Sequence, residues 1–308
     1  MTENEIIIVD GIPNKEYNVF VKESVKYAII SLPFTVNRMD ISGINTRIQN
    51  TAKGKIAESA FKIFCKANNI DSNFDICSTP FWTVDKRDFT LLGLEWDIKN
   101  NYIYHSGSTL QGYHYSHLPG LVPNKHNGDQ WSKKNEQFIN NTKSTAYLFT
   151  FMKGADLTNN SRGDYFLKIN ISTHQFDFIK SLWDKYQGQP QSEEPFSEEW
   201  FWNEMSNKGS ESFFELKFNP NLIISGCANP NYWHLFKDTG AYEKNNFLQD
   251  YFEDYTWYKK ARTGSLNFMN GTFWSRITNA TIPVTALPSF LSLFPSLKNT
   301  IKYGRIKF

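Results

Sequence analysis

The twelve residues from Asp88 to Lys99 read D-F-T-L-L-G-L-E-W-D-I-K, two short apolar strands joined at Leu92-Gly93. Strand side chains alternate between faces, so Glu95, Asp97 and Lys99 share one side while Leu94, Trp96 and Ile98 share the other. One face is suited to packing and the other carries charge. A tight fold-back at Leu92-Gly93 predicts a hairpin that brings Asp88 near Asp97. Two carboxylates beside an ammonium group suit a hydrated Mg²⁺ and a phosphate oxygen, because this ion prefers a few carboxylates, water and substrate oxygens.

Upstream, residues 43 to 70 follow a helical period. Ile56, Ala60 and Phe64 recur every four residues and are flanked by Ala57, Phe61 and Cys65, which makes one broad apolar face. Glu58 falls at the rim of that stripe, about 20° from Cys65 on a wheel of 3.6 residues per turn. A rim position aims a carboxylate at a site beside a sheet, although the run K-G-K-I-A-E-S also suits an ordinary solvated helix acid.

Together these residues carry a resemblance. Asp88, an apolar turn, Asp97-Ile98-Lys99 and the helical Glu58 resemble the PD-(D/E)XK nuclease superfamily, which includes many type II restriction endonucleases. The likeness is one of pattern and spans roughly residues 50 to 172. It implies that Asp88 and Asp97 hold Mg²⁺, helped by the Ile98 carbonyl, that Lys99 positions or activates the attacking water, and that Glu58 assists as a further ligand. Arg87 stands where many members have Pro, and this leaves Asp85, in V-D-K-R-D, as a rival for the first acid. Glu95, on the face of Asp97, is a reserve candidate.

The resemblance implies an α/β fold, a restriction-endonuclease-like core of a central mixed sheet flanked by helices, with an additional C-terminal α+β region. Residues 1–42 are expected to form an N-terminal covering segment, with a strand at Ile6 to Val9 and an apolar run from Tyr27 to Leu32 that ends at Pro33. The nuclease core is expected over 43–175, with Thr145 to Met152 and Tyr165 to Ile171 as further strands. Residues 176–308 are expected to serve recognition or dimerisation, beginning near the Pro-, Gln- and Glu-rich stretch 187–199. That region holds strand candidates Phe213 to Phe218 and Leu222 to Ser225, separated by the turn signal Asn219-Pro220-Asn221. Residues 100–142 are too long for an ordinary loop, which points to a functional segment or a helix around Asp129 to Asn140.

At 308 residues, with 40% apolar content, the chain can bury a substantial core. Its formal net charge is only +2, so any nucleic-acid surface must be a local basic patch. Lys259, Lys260, Arg262 and Arg276, interleaved with Trp257, Tyr258, Phe273 and Trp274, read first as a solvated face and second as a surface for phosphates and bases. Lys298, Lys302, Arg305 and Lys307 make the end of the chain basic. His114, His117 and His126 have no cysteine nearby and are read as surface or DNA-backbone contacts, without zinc. Cys65, Cys77 and Cys227 are odd in number and widely spaced, as expected of buried reduced thiols. No run of 18 apolar residues and no signal-peptide layout is present, and a soluble cytoplasmic location is expected.

The expected activity is Mg²⁺-dependent hydrolysis of phosphodiester bonds in double-stranded DNA by a homodimer, sequence-specific in the manner of restriction enzymes. Structure-selective or defence nucleases share the same core. A non-catalytic DNA-binding or assembly protein, with the hairpin as a charged structural edge, is the contrasting class.

Overall fold

The structure is a computed structural model that describes residues 1–37, 43–85, 87–103, 119–122, 145–153, 165–207, 209–218, 221–228, 264–268, 271–275 and 280–306. The chain is α/β. Thirteen strands are described: β1 (Ile7–Val9), β2 (Ser72–Asn73), β3 (Phe89–Leu91), β4 (Leu94–Ile103), β5 (Pro119–Val122), β6 (Thr145–Lys153), β7 (Tyr165–Ser172), β8 (Glu211–Phe218), β9 (Leu222–Ala228), β10 (Gly264–Phe268), β11 (Gly271–Ser275), β12 (Ala280–Pro283) and β13 (Gly304–Ile306). The α-helices are α1 (Asn14–Ser31), α2 (Ile44–Ala67), α3 (Thr173–Tyr186), α4 (Glu198–Asn203) and α5 (Phe290–Leu293).

Seven strands form one mixed sheet in the order β13-β1-β9-β6-β4-β3-β2. Its centre is legible in composition: β9 is buried at every position, and β6 is buried from Ala146 to Met152. Strands covered on both faces read as continuous apolar runs and not as alternation. β4 and β6 run parallel, with Asp97 beside Tyr147 and Lys99 beside Phe149, while the other neighbours in this sheet are antiparallel.

Two findings depart from the expected layout. Residues 1–42 do more than cover the core, because β1 lies within the sheet between β9 and β13, and α1 packs along α2. Tyr165 to Ile171 is a strand, yet β7 pairs with β8 in a separate two-stranded ladder and does not enter the large sheet. The edge of β6 facing away from β4 is taken by β9, from the C-terminal region, so no place is left there for β7. The helix expected near Asp129 to Asn140, the turn at Asn219-Pro220, His114, His117, His126, Trp257, Tyr258, Lys259, Lys260, Arg262, Arg276 and Lys307 lie outside the described residues. Phe273 and Trp274 fall in β11.

α2 matches the expected helix closely. Its buried positions include Ile48, Ala52, Ile56, Ala57, Ala60, Phe61, Phe64 and Cys65, and this face rests on β4 and β9. Phe61 is the hub, with ring centroids 5.1 Å from Phe89, 5.4 Å from Phe290 and 6.2 Å from Phe74. A fully buried Phe contributes roughly 2–3 kcal/mol in removed apolar surface. This contact fixes the rotation of α2 above the β3–β4 hairpin. α1 buries Tyr17, Val21, Val25, Ala28 and Ile29, spaced by three and four, and starts just after Pro13, both of them sequence signals of a helix. Among the described residues, no helix is long and apolar enough to cross a membrane.

Candidate acidic site between helix α2 and the hairpin

β3 and β4 pair antiparallel with Leu91 opposite Leu94, so Leu92 and Gly93 form a two-residue turn. Both have positive φ, 53° at Leu92 and 74° at Gly93, as a type I′ turn requires. The expected hairpin is therefore present. It is locked from the inside by Trp96, whose indole Nε1–H donates to the Leu91 carbonyl at 2.9 Å, and whose ring stacks on Phe89 at 5.8 Å.

The pairing continues one step beyond β3. The Asp88 N–H donates to the Trp96 carbonyl at 2.9 Å, and the Asp88 Oδ2 accepts the Ile98 N–H at 2.5 Å. Asp88 is thereby held against the strand that carries Asp97. Above them α2 presents Glu58, and the loop before β3 presents Asp85. One carboxylate oxygen from each of Glu58, Asp85 and Asp88 lies within 4.8 Å of the others. Asp85 thus joins Asp88 in the cluster and does not replace it.

Asp97 and Lys99 share a face of β4, as alternation dictates, and are ion-paired to each other with Lys99 Nζ 2.6 Å from Asp97 Oδ2. The same ammonium lies 5.5 Å from the centre of the Tyr147 ring on β6. Burial and then the charge of Asp97 push the Tyr147 hydroxyl up, so it stays protonated. Glu95 stands apart, half-exposed and 3.3 Å from Arg87. Ile98 contributes its N–H to Asp88, and its side chain packs against the core.

Lys55 was not singled out by the sequence. One turn before Glu58 on α2, its Nζ contacts Glu58 Oε2 at 2.8 Å and also donates to Asp85 Oδ2. The ammonium lies 5.3 Å from the centre of the Tyr27 ring on α1. The i,i+3 spacing of Lys55 and Glu58 was the available signal.

Electrostatics follow from crowding. Burial is the largest cause raising the Asp88 carboxyl well above the ordinary range, followed by the charges of Glu58, Asp97 and Asp85. Glu58 is pushed to about 7, again mainly by burial, with Lys55 pulling it down and Asp85 and Asp97 pushing it up. Burial is also the largest single effect on Lys55 and works against its charge, yet Glu58, Asp85 and Asp88 together hold its pKa well above the usual lysine value. Four carboxylates facing two ammonium groups leave a formal excess of two negative charges when all are ionised. Without a further cation this excess is relieved by protons on the raised carboxyls. Oxygen donors at this spacing, with that charge, fit a small hard divalent cation held by Glu58, Asp85 and Asp88, whereas Asp97, expected as a ligand, is paired with Lys99 and is not one of the three converging carboxylates.

The three cysteines are free thiols, with Cys65 and Cys227 buried and Cys77 only partly so. Comparison of the chain with protein families, with curated proteins and with solved structures finds no match.

Proposed function

We propose that the chain is a Mg²⁺-dependent endonuclease hydrolysing phosphodiester bonds in double-stranded DNA, with Asp88, Asp97, Lys99 and Glu58 at its centre. The observation that carries this reading is the convergence of Glu58, Asp85 and Asp88 beside the Asp97–Lys99 pair, drawn from a helix, a loop and a hairpin. Glu58, Asp85 and Asp88 would hold a divalent cation, which when bound would offset the negative charge of the phosphodiester and acidify a water. Lys99, a compact cation with three donors, holds the attacking water or the developing oxyanion on the phosphorus. Asp97 orients that ammonium through the ion pair. Glu58, reaching the cluster from α2, orients a second water or ion.

Restriction-type, sequence-specific cleavage by a homodimer is the form of this activity we favour, since about 120 residues suffice for the catalytic core. The remainder of the 308-residue chain is enough to read base edges and build a dimer interface. The decisive experiment is incubation of plasmid and phage DNA with the protein and Mg²⁺, followed by end mapping. Discrete fragments indicate site specificity and a smear indicates a non-specific or structure-selective nuclease. Asp97→Ala and Lys99→Ala should abolish cleavage and leave DNA binding largely intact, and full cleavage by either variant removes the assignment.

A non-catalytic binding or assembly protein is the second reading, and the Lys55 bridge favours it, because internal ion pairing of Glu58 and Asp85 is also what a purely structural network requires. It predicts neither Mg²⁺-dependent cleavage nor a change in melting temperature on adding Mg²⁺.

A further inference from the structure

The Lys55 ammonium already holds two of the three carboxylates that converge in the acidic cluster. Its Nζ reaches Glu58 Oε2 at 2.8 Å and contacts Asp85 Oδ2, so Lys55 and a divalent cation are rivals for the same negative charge. The same ammonium, while it bridges the two carboxylates, also lies beside an aromatic face. The Lys55 side chain is 22% exposed, and its Nζ lies 5.3 Å from the centre of the Tyr27 ring on α1, a face that attracts cations. The lysine stem is flexible and the ammonium is a point charge without fixed bonding geometry, so it can yield the carboxylates to an incoming ion. Lys99, the other ammonium nearby, is paired with Asp97.

We propose that Lys55 is an internal counter-cation that occupies the Glu58–Asp85 side of the site and must be displaced for a divalent cation to bind, setting the cation concentration at which the site fills. This rests on the reading of the cluster as a cation site and names the residue that regulates its occupancy. Removing the ammonium leaves two carboxylates without their partner and strengthens attraction for the ion.

The test is direct binding of Mn²⁺ to the full chain, stripped of metal with a chelator, followed by electron paramagnetic resonance of the free ion. Lys55→Gln should bind Mn²⁺ about tenfold or more tightly than the unaltered protein. Lys55→Arg, which keeps the charge, should stay close to it. Circular dichroism checks folding, and Lys55→Met, which keeps the apolar stem beside Tyr27, provides a second neutral variant. Equal or weaker Mn²⁺ binding by both folded neutral variants overturns the proposal, since Lys55 would then be organising the ligands and not competing for them. Absence of Mn²⁺ binding by every form also overturns it. The measurement needs no DNA. A protein that cleaves nothing yet shows the tightening keeps this inference and loses the nuclease reading.

Discussion

The Asp88 carboxylate accepts the backbone N–H of Ile98 at 2.5 Å, across the hairpin and next to Asp97. A side chain has taken the place of a backbone carbonyl at the end of a ladder. The bond fixes the direction of the carboxylate and brings two acids together that would otherwise separate.

That arrangement has a cost in the absence of a cation. Asp88→Asn keeps an acceptor for Ile98 and removes a carboxyl that burial, Glu58 and Asp97 disfavour in its charged form. The variant should be more stable than the unaltered protein in chelator, by about 1–2 kcal/mol, and inactive, the usual trade between stability and a strained site. Thermal melts with and without Mg²⁺ test this. A lower midpoint in chelator would contradict the electrostatic account of Asp88.

Stability should also depend on pH in a defined direction. Glu58 titrates near 7 in the folded chain against an ordinary 4.5, so between those values the folded state binds more protons than the unfolded one. Its contribution is present in full below pH 4.5, is lost as pH rises from there through about 7, and is level above, a loss of roughly 3 kcal/mol. Glu58→Gln should flatten this slope in chelator. Denaturant titrations from pH 4.5 to 8 measure it, and the same proton release makes divalent binding tighten with pH.

The hairpin turn offers a separate test. Leu92 is 61% exposed and sits at φ 53°, a conformation that suits Asn in the first position of a type I′ turn far better than a branched apolar residue. Leu92→Asn should stabilise the protein by about 0.5–1 kcal/mol and leave cation binding unchanged. Equilibrium unfolding in urea reads the shift directly.

Phe61 ties α2 to the hairpin, and it lies one turn from Glu58. Phe61→Ala should cost about 3–5 kcal/mol, because it opens a cavity among Phe64, Phe74, Phe89 and Phe290. If the helix is the platform for Glu58, Mn²⁺ affinity should weaken in the same variant under conditions where it remains folded. Unaltered affinity would detach the site from this packing.

Much of the site was legible because its signals are local. The alternation of Glu95, Asp97 and Lys99, the turn at Leu92-Gly93 and the four-residue period of Ile56, Ala60 and Phe64 are properties of single elements, and each appears where expected. α1 was legible in the same way, through Tyr17, Val21 and Val25, although only its apolar end near Tyr27 was read.

Sequence alone thus determined helix α2 with Glu58 and the hairpin with Asp97 and Lys99 on β4, while Asp88, expected on the first strand, falls one residue before β3; backbone periodicity assigns a side chain to a face without reference to the rest of the chain. Tertiary structure alone decided which strands became neighbours and which charges met. β1 and β13 joined the sheet from opposite ends of the chain, β7 turned to β8 instead, and Asp85 and Lys55, thirty residues apart, came into contact. Strand pairing and ion pairing across such separations depend on how the whole apolar core closes, and no short window of residues carries that information.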